Sequence, residues 1–328
     1  MEPADIPQCV ELIAENPILR PRYGRMIEHL PQAWLNQIQR EDRFSTVLFT
    51  DDGPDGTVCF FGVASAVNDD FLRSMKTEPH FWIGPEMVRR IVAGESPILS
   101  TKEFRDANSN GGMNLLCWDN CIRPGYETCS ELHRAVVSGF VEQHRGYRWK
   151  EIIANQPESP ERLAFLLETG AFLWNPNIGA YTSKLEKGTT DFVGNPHILG
   201  TTPEAERTIQ GAWGGRWVGA LFDYQAPKLG LNRSEQRLLN RAFGRATDER
   251  IAENLGVSLP TVKKMWVSAY RRVENNLPEL FGDFPRLEIA ANGRGPEKRR
   301  RLLLYLRDHP EELRPYSGKL LVKTAAPR

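Results

Sequence analysis

Several features that would place this 328-residue chain in a membrane or an oxidising compartment are missing from its sequence. No apolar run reaches the roughly 18 residues that suggest a membrane span. The first residues, Met-Glu-Pro-Ala-Asp-Ile, lack the basic and apolar parts of a signal peptide. The five cysteines are an odd number without the spacing of a disulfide framework, which is typical of reduced thiols. We therefore expect a soluble, cytoplasmic protein with no membrane partner.

Metal-ligand spacing is also scarce. Cys117, Cys121, Cys129 and His133 offer thiolates and an imidazole, which are the ligands that zinc prefers. Structural zinc sites, however, use two closely spaced ligand pairs, and only one such cysteine pair exists here. The sequence therefore predicts buried free thiols and no metal cofactor.

Excess charge of either sign is absent from the whole chain, which has 42 basic and 42 acidic residues, but the two signs are unevenly distributed. Residues 1–231 hold 22 basic and 30 acidic side chains, a net charge of −8. Residues 232–277 hold nine and five, a net +4, and residues 286–328 hold eleven and five, a net +6. Because phosphates attract basic surfaces and repel acidic ones, the carboxyl-terminal third is predicted to meet nucleic acid.

The basic region contains the pattern of a short helix followed by a tight turn. Thr247 or Asp248 can cap this helix, and Ile251, Ala252 and Leu255 are spaced to share its inward face. Ala252 is small, as is needed where two helices cross closely. An upstream helix, which we expect to be opened by Ser234, contributes a second apolar stripe of Leu238, Leu239 and Ala242.

A second helix is predicted to start near Leu259. Gly256 can take the left-handed conformation of a turn, and Val257 is expected to fill the core beneath it. Ser258 is a good N-cap, and Pro260 falls in the first turn, where its missing N–H breaks no helical bond. The expected inward residues are Val262 and Trp266, with Ala269 or Tyr270, and the expected outward residues are Thr261, Lys263, Lys264 and Ser268.

This run resembles the LuxR-type helix-turn-helix, whose pattern reads roughly Leu-Thr-x-x-Glu, then Glu-Ile-Ala-x-x-Leu-x-Val-Ser-x-x-Thr-Val-Lys. The matching positions are Leu231, Glu235, Ile251, Ala252, Leu255, Val257, Ser258, Thr261, Val262 and Lys263. Asn232, Met265 and Trp266 depart from the pattern, and the DNA-reading domains of sigma factors look similar. The resemblance implies a double-stranded DNA partner and a DNA-binding surface of Ser258, Thr261, Lys263, Lys264, Arg250, Arg271 and Arg272. Of these, Thr261, Lys263 and Lys264 are expected in the groove, and the three arginines on phosphates.

Strands alternate with helices in the amino-terminal body, which predicts an α/β (α+β) layer structure. A hairpin is expected from two β-prone stretches on either side of Asp51-Asp-Gly-Pro-Asp-Gly. The other predicted strands are 113–118, 149–154 and 180–185, and the predicted helices are 5–15, 85–92, 129–144 and 160–169. An apolar pocket between sheet and helix would suit a small ligand.

This order, and the stretch from Ile152 to Phe172 in particular, looks like the second half of a GNAT-type N-acetyltransferase, with a mixed sheet flanked by helices. The chain has Arg123-Pro-Gly-Tyr-Glu-Thr-Cys instead of the small residues that cradle the acyl-CoA pyrophosphate in this family. Leu167 stands where the family has its tyrosine acid. The resemblance therefore implies a non-catalytic body, with Arg123, Gly125, Tyr126 and Asn155 as places where an acyl-CoA-like ligand could still bind.

The sequence thus predicts four segments. They are a GNAT-like sensory or dimerisation domain (1–186), a packed interdomain linker (187–230), an all-α helix-turn-helix domain (231–277) and a basic extension (278–328). The extension contains a basic amphipathic helix that ends at Pro310, either a solvated surface helix or one that contacts phosphates or packs in a dimer.

A transcriptional regulator of bacterial type is the function that these features favour. Its expected partners are DNA, a second copy of the chain in a homodimer and RNA polymerase. Two alternatives stay open: an acyl-CoA-dependent N-acyltransferase with a helix-turn-helix targeting module, and a three-helix scaffold that binds another protein.

Overall fold

The computed structural model describes residues 1–17, 19–38, 40, 44–50, 56–77, 82–156, 172–173, 197–207, 218–244, 246–282 and 295–317. The chain is mixed α/β and divides into two compact units. The first comprises residues 1–144 and 148–222, and the second comprises residues 145–147 and 223–328. The predicted strand 180–185 and helix 160–169 lie outside the described residues, as does Leu167.

A six-stranded sheet forms the centre of the first unit, in the order β1-β2-β3-β4-β6-β5. The strands are β1 Phe44–Phe49, β2 Val58–Val67, β3 Met113–Ile122, β4 Trp149–Gln156, β5 Phe172–Leu173 and β6 His197–Thr201. All neighbours pair antiparallel except β3 and β4, which are parallel. The predicted β1–β2 hairpin is therefore confirmed. Strand β6 places part of the predicted linker inside the sheet, and the boundary between the units falls at 222/223 instead of 186 and 230.

Seven helices accompany this sheet in the described residues. They are α1 Ile6–Glu15, α2 Leu19–Tyr23, α3 Leu30–Ile38, α4 Asp69–Thr77, α5 Ile83–Val92, α6 Thr101–Asn110 and α7 Ser130–His144. The largest core cluster joins α1, α3 and α5 to the sheet. In it, the rings of Trp34 and Phe61 are fully buried and lie 5.3 Å apart. Trp34 and Phe61 are among the largest fully buried side chains of the described residues, and their contact packs α3 against β2.

The second unit is helical, with α8 Arg233–Phe243, α9 Asp248–Leu255, α10 Leu259–Asn276 and α11 Gly295–Asp308. Its core confirms most of the predicted inward residues of the first three helices, since each of the following is at most 8 % exposed: Leu238, Leu239, Ala242, Ile251, Ala252, Val262, Trp266 and Ala269. Leu255, also predicted to face inward, is half-buried against this core. Helix α8 is capped by Asn232 rather than by Ser234. The Asn232 side chain accepts from Glu235 N–H while the Glu235 carboxylate accepts from Asn232 N–H, a reciprocal capping box.

The turn between α9 and α10 depends on Gly256. Its backbone is left-handed, with φ +64° and ψ +37°, and Val257 N–H closes the helix end by donating to Ala252 O. Ser258 then caps α10, because its Oγ accepts from Thr261 N–H. Val257 is 37 % exposed, so the prediction that it fills the core is wrong. The closed helix end leaves this side chain at the rim of the turn.

Replacing Gly256 by alanine is expected to destabilise the second unit by about 1–2 kcal/mol, because a Cβ is unfavourable in the left-handed region. An added Cβ would meet no atom within 4 Å, so backbone conformation is the whole cause. Urea unfolding followed by helical circular dichroism measures the loss. Gly256→Asn is the control and should lose less, since asparagine tolerates this conformation. Equal stability of the alanine variant and the native chain would contradict the assignment.

Candidate nucleic-acid interface

Helix α10 carries a cationic face on the second unit. Lys263, Lys264 and Arg271 are exposed, and none has an ion-pair partner in the described part of the chain. Together with Val267 and Ser268 they line a surface depression of about 330 Å³. Lys264 and Arg271 are seven positions apart, which is about two helical turns, and Lys263 is adjacent to Lys264, so the three cations lie on one side of the helix.

The cap of α10 adds polar groups beside this face. Ser258 and Thr261 are both exposed, and their hydroxyl oxygens lie 2.9 Å apart. Ser258 Oγ is engaged with the Thr261 N–H. Ser268, expected to face outward, is half-buried and donates its hydroxyl proton to Glu235 Oε1 at 2.6 Å. The hydroxyl of Thr261 is therefore the most accessible of the three.

The two remaining predicted arginines differ from each other. Arg250 forms an exposed ion pair with Glu253 at 2.9 Å, and such surface pairs contribute about 0–1 kcal/mol, so a phosphate can displace the glutamate. Arg272 is partly exposed but is tied to the unit by two contacts. Its Nε lies 2.6 Å from the buried Glu235 carboxylate, and its Nη1 donates to Gly230 O at 2.7 Å. These contacts give Arg272 a structural role in place of the phosphate contact that the sequence predicted.

The basic helix α11 packs on the core of its own unit. Leu302 and Leu306 are buried in that core. Arg299 pairs with Asp248 at 2.8 Å, and its guanidinium carbon lies 4.4 Å from the centre of the Trp266 ring. Of the alternatives left open by the sequence, this arrangement fits a surface helix whose apolar side packs on its own unit.

Trp266 owes its fit to these partners. Its ring is 5 % exposed, and its Nε1 donates to Asp248 Oδ1 at 3.2 Å. This arrangement could not be predicted from a local pattern, because Arg299 lies 33 positions away along the chain. A tryptophan at this position is thus accommodated by an aspartate on α9 and an arginine on α11.

In the first unit, the predicted ligand residues are not gathered in one place. Arg123 donates from Nε to Val58 O at 2.7 Å, and the Gly125 N–H donates to Glu127 Oε2 at 2.7 Å. Tyr126 packs against a small apolar cluster. Asn155 lines a cavity of about 740 Å³, and the other three are absent from its described lining. Asn155 also accepts from Ile83 N–H.

A buried polar group that the sequence did not reveal lines the same cavity. Tyr23 donates its hydroxyl proton to Asp119 Oδ2, and both side chains are less than 9 % exposed. The guanidinium carbon of Arg22 lies 3.6 Å from the centre of the Trp82 ring. These residues come from α2, the start of α5 and β3, so no sequence spacing could have joined them.

Because of Asp119, the free energy of unfolding of the first unit is expected to decrease as pH rises. Burial raises the pKa of its carboxyl to about 7, whereas an unfolded aspartate titrates near 3.9. Between these values unfolding releases a proton, so the Asp119 contribution to the free energy of unfolding falls by up to about 1.4 kcal/mol per pH unit. We expect the difference in stability between the native chain and Asp119→Asn, from urea unfolding at pH 4–8, to fall with pH and level off above about 7.

Asp69→Asn provides the control for that experiment. Hydrogen bonding by Lys150 lowers the pKa of Asp69, so its difference curve changes below about pH 4 and should be flat over pH 4–8. A difference for Asp119→Asn that is constant, or that increases with pH, would show that this carboxyl is ionised in the folded chain at acidic pH.

Comparison with protein-family models, with curated proteins and with solved structures gives no match to this chain. Over the described residues, no helix is long and apolar enough to cross a bilayer. The same residues contain no cluster of three or more His, Cys, Asp or Glu side chains placed to hold a metal ion.

Proposed function

We propose that this protein is a DNA-binding transcriptional regulator whose second unit is a LuxR-type helix-turn-helix. The observation that carries the proposal is the face of α10, where Lys263, Lys264 and Arg271 are exposed and form no ion pair with any described residue. The helix is held by a buried core and by the Gly256 turn. Exposed cations on a rigid helix can displace counterions from DNA and reach its major groove.

Thr261, Lys263 and Lys264 are the proposed groove contacts, and Arg250 and Arg271 the proposed phosphate contacts. Thr261 lies in the first turn of α10, which is the part of a recognition helix that meets base edges. Lysine can donate to guanine in the groove, whereas a phosphate contact by arginine fixes orientation without reading sequence. Arg272 supports the site from inside through Glu235.

The first unit is proposed as the signal-receiving or dimerisation part, a degenerate relative of the GNAT fold. Its strand order with a single parallel pair among the described strands supports the likeness. The loop after β3 supports the loss of catalysis, because the Gly125 N–H is occupied by Glu127 and Arg123 is tied to Val58. Neither group is then available to a pyrophosphate.

Selection from fragmented genomic DNA tests the proposal. The full chain is incubated with the fragments at low salt, and retained DNA is sequenced after washes of rising salt. A regulator should enrich a shared sequence. A plot of the logarithm of the binding constant against the logarithm of the salt concentration should fall with a slope of about 0.9 for each phosphate contacted. Two related half-sites in that sequence would indicate a homodimer. Retention that does not depend on salt would favour a protein-binding scaffold instead.

Incubation with acetyl-CoA and a panel of amines tests the competing acyltransferase function. The proposal predicts no release of free CoA thiol above the rate without protein. Sustained thiol release that requires both an amine and the protein would assign catalysis to the first unit and leave the second as a targeting module.

A further inference from the structure

The cavity of the first unit has the size and lining of a small-molecule site. Its volume, about 740 Å³, lies within the range of roughly 300–1,000 Å³ that ligand sites occupy. Aromatic and aliphatic side chains cover much of it, among them Leu19, Trp82, Trp118, Val136 and Val137. Such a cavity favours a ligand with an apolar body.

Arg22 is the unsatisfied group in this lining. Its Nε and Nη2 are sealed from solvent, and neither has a hydrogen-bond partner in the described part of the chain. A buried charged donor without an acceptor costs more than the 1–3 kcal/mol of a neutral one. Burial accordingly lowers the pKa of this guanidinium to about 10. No described residue therefore accepts a hydrogen bond from these two nitrogens of Arg22.

The geometry of the two nitrogens indicates the chemical class of the missing acceptor. Nε and Nη2 form one edge of the planar guanidinium, and their N–H bonds point in the same direction. This edge matches the two oxygens of a carboxylate or phosphate. Both nitrogens are sealed from solvent in this structure, so binding of an acceptor requires the Arg22 side chain to turn toward the cavity.

The charge of the lining selects between these two anions. Arg22 is the one lysine or arginine among the described lining residues, and Asp119 and Glu127 are acidic. A phosphate dianion would leave a negative charge unbalanced beside two carboxyl groups, which is costly in a buried site. Burial raises the pKa of Asp119 to about 7, so this carboxyl is largely uncharged below that pH, and Glu127 is exposed to solvent. Arg22 then balances a ligand with a single negative charge.

We propose that this cavity binds a small monocarboxylate with an apolar body, its carboxylate on Nε and Nη2 of Arg22 and its apolar part between Trp82 and the valines of α7. Binding at this site stands on the geometry of the first unit. Its use as a regulatory signal rests on the proposed function.

Calorimetric titration of the full chain tests the site. The probes are benzoate, phenylacetate and the straight-chain carboxylates from acetate to decanoate, with benzyl alcohol and inorganic phosphate as uncharged and multiply charged controls. At least one carboxylate should bind saturably and raise the melting temperature of the chain, whereas the two controls should not. No saturable binding by any carboxylate up to about 10 mM would overturn the proposal.

Variants assign the binding to Arg22. Arg22→Met removes the charge at similar length and should weaken the best carboxylate by roughly 10- to 100-fold. Arg22→Lys keeps the charge but lacks the planar edge with two donor nitrogens, so its affinity should lie between those of the native chain and Arg22→Met. Arg25→Met, at a nearby exposed arginine, should bind like the native chain. Equal affinity of Arg22→Met and the native chain would overturn the proposal.

Tryptophan fluorescence provides a second readout on the same samples. Binding should change the emission of the native chain as Arg22 leaves the Trp82 ring, and Trp82→Phe should lose this change. DNA binding measured in parallel separates the two proposals. Carboxylate binding without DNA binding supports the site and contradicts the regulator, and DNA binding without carboxylate binding does the reverse.

Discussion

Replacing Lys263 and Lys264 together by glutamate is expected to weaken duplex binding by roughly 30-fold or more, since a lysine that contacts a base edge contributes about 1–3 kcal/mol. The loss should be larger than for two alanines, because glutamate also repels phosphates. Both side chains are exposed, and glutamate is as good a helix former as lysine, so the fold should be unchanged. Fluorescence anisotropy with a labelled duplex at several salt concentrations measures the effect.

Arg25→Glu combined with Lys102→Glu is the matched control. It makes the same change of net charge at two exposed positions of the first unit, and it should retain most of the native affinity. An equal loss in both double variants would mean that overall charge, and not the face of α10, governs binding. Native affinity in the Lys263/Lys264 variant would remove that face from the interface.

Trp266→Ala is expected to destabilise the second unit by about 3–5 kcal/mol, the usual cost of removing a buried tryptophan. The ring is 5 % exposed, packs beside Tyr270 at 5.7 Å between centres and stacks under Arg299. Its removal leaves a cavity and also breaks the hydrogen bond to Asp248. Because this core holds α10 in place, the variant should lose both its cooperative unfolding transition and its DNA binding.

The measurement is urea unfolding followed by helical circular dichroism, with DNA binding of the same sample. Trp266→Phe is the control. It keeps most of the ring volume and loses only the Nε1 hydrogen bond, worth about 0.5–1.5 kcal/mol, so it should still bind DNA. A free energy of unfolding for Trp266→Ala within about 0.5 kcal/mol of the native value would show that the core does not depend on this ring.

The helices of the second unit could be predicted because their signals are local. Thr247 and Ser258 bond to N–H groups three residues ahead, and Gly256 takes the conformation that glycine favours, so a short window of sequence contains the cause. The local pattern predicted the wrong N-cap for α8, where two neighbouring residues could both serve as a cap. Asn232 and not Ser234 caps α8, because only Asn232 can form the reciprocal pair with Glu235.

Features that depend on distant contacts could not be predicted. Strand β6 enters the sheet between β4 and β5, although its sequence lies in a stretch rich in glycine and proline. Arg272 was expected on DNA as part of the surface that the helix-turn-helix resemblance implies, but the fold brings it to the buried Glu235. Arg22 gave no sequence signal at all. No described residue supplies an acceptor to its Nε and Nη2, and an absent partner leaves no pattern in the sequence.

Chemical labelling of lysines in the presence of a bound duplex tests the central claim most directly. The native chain is acetylated with and without DNA, and the modification of each lysine is measured by mass spectrometry. Lys263 and Lys264 should be strongly protected by DNA, whereas Lys102 and Lys228, which are also exposed, should react as before. Unchanged labelling of Lys263 and Lys264 while the duplex is bound would contradict the assignment of α10 as the DNA-reading helix.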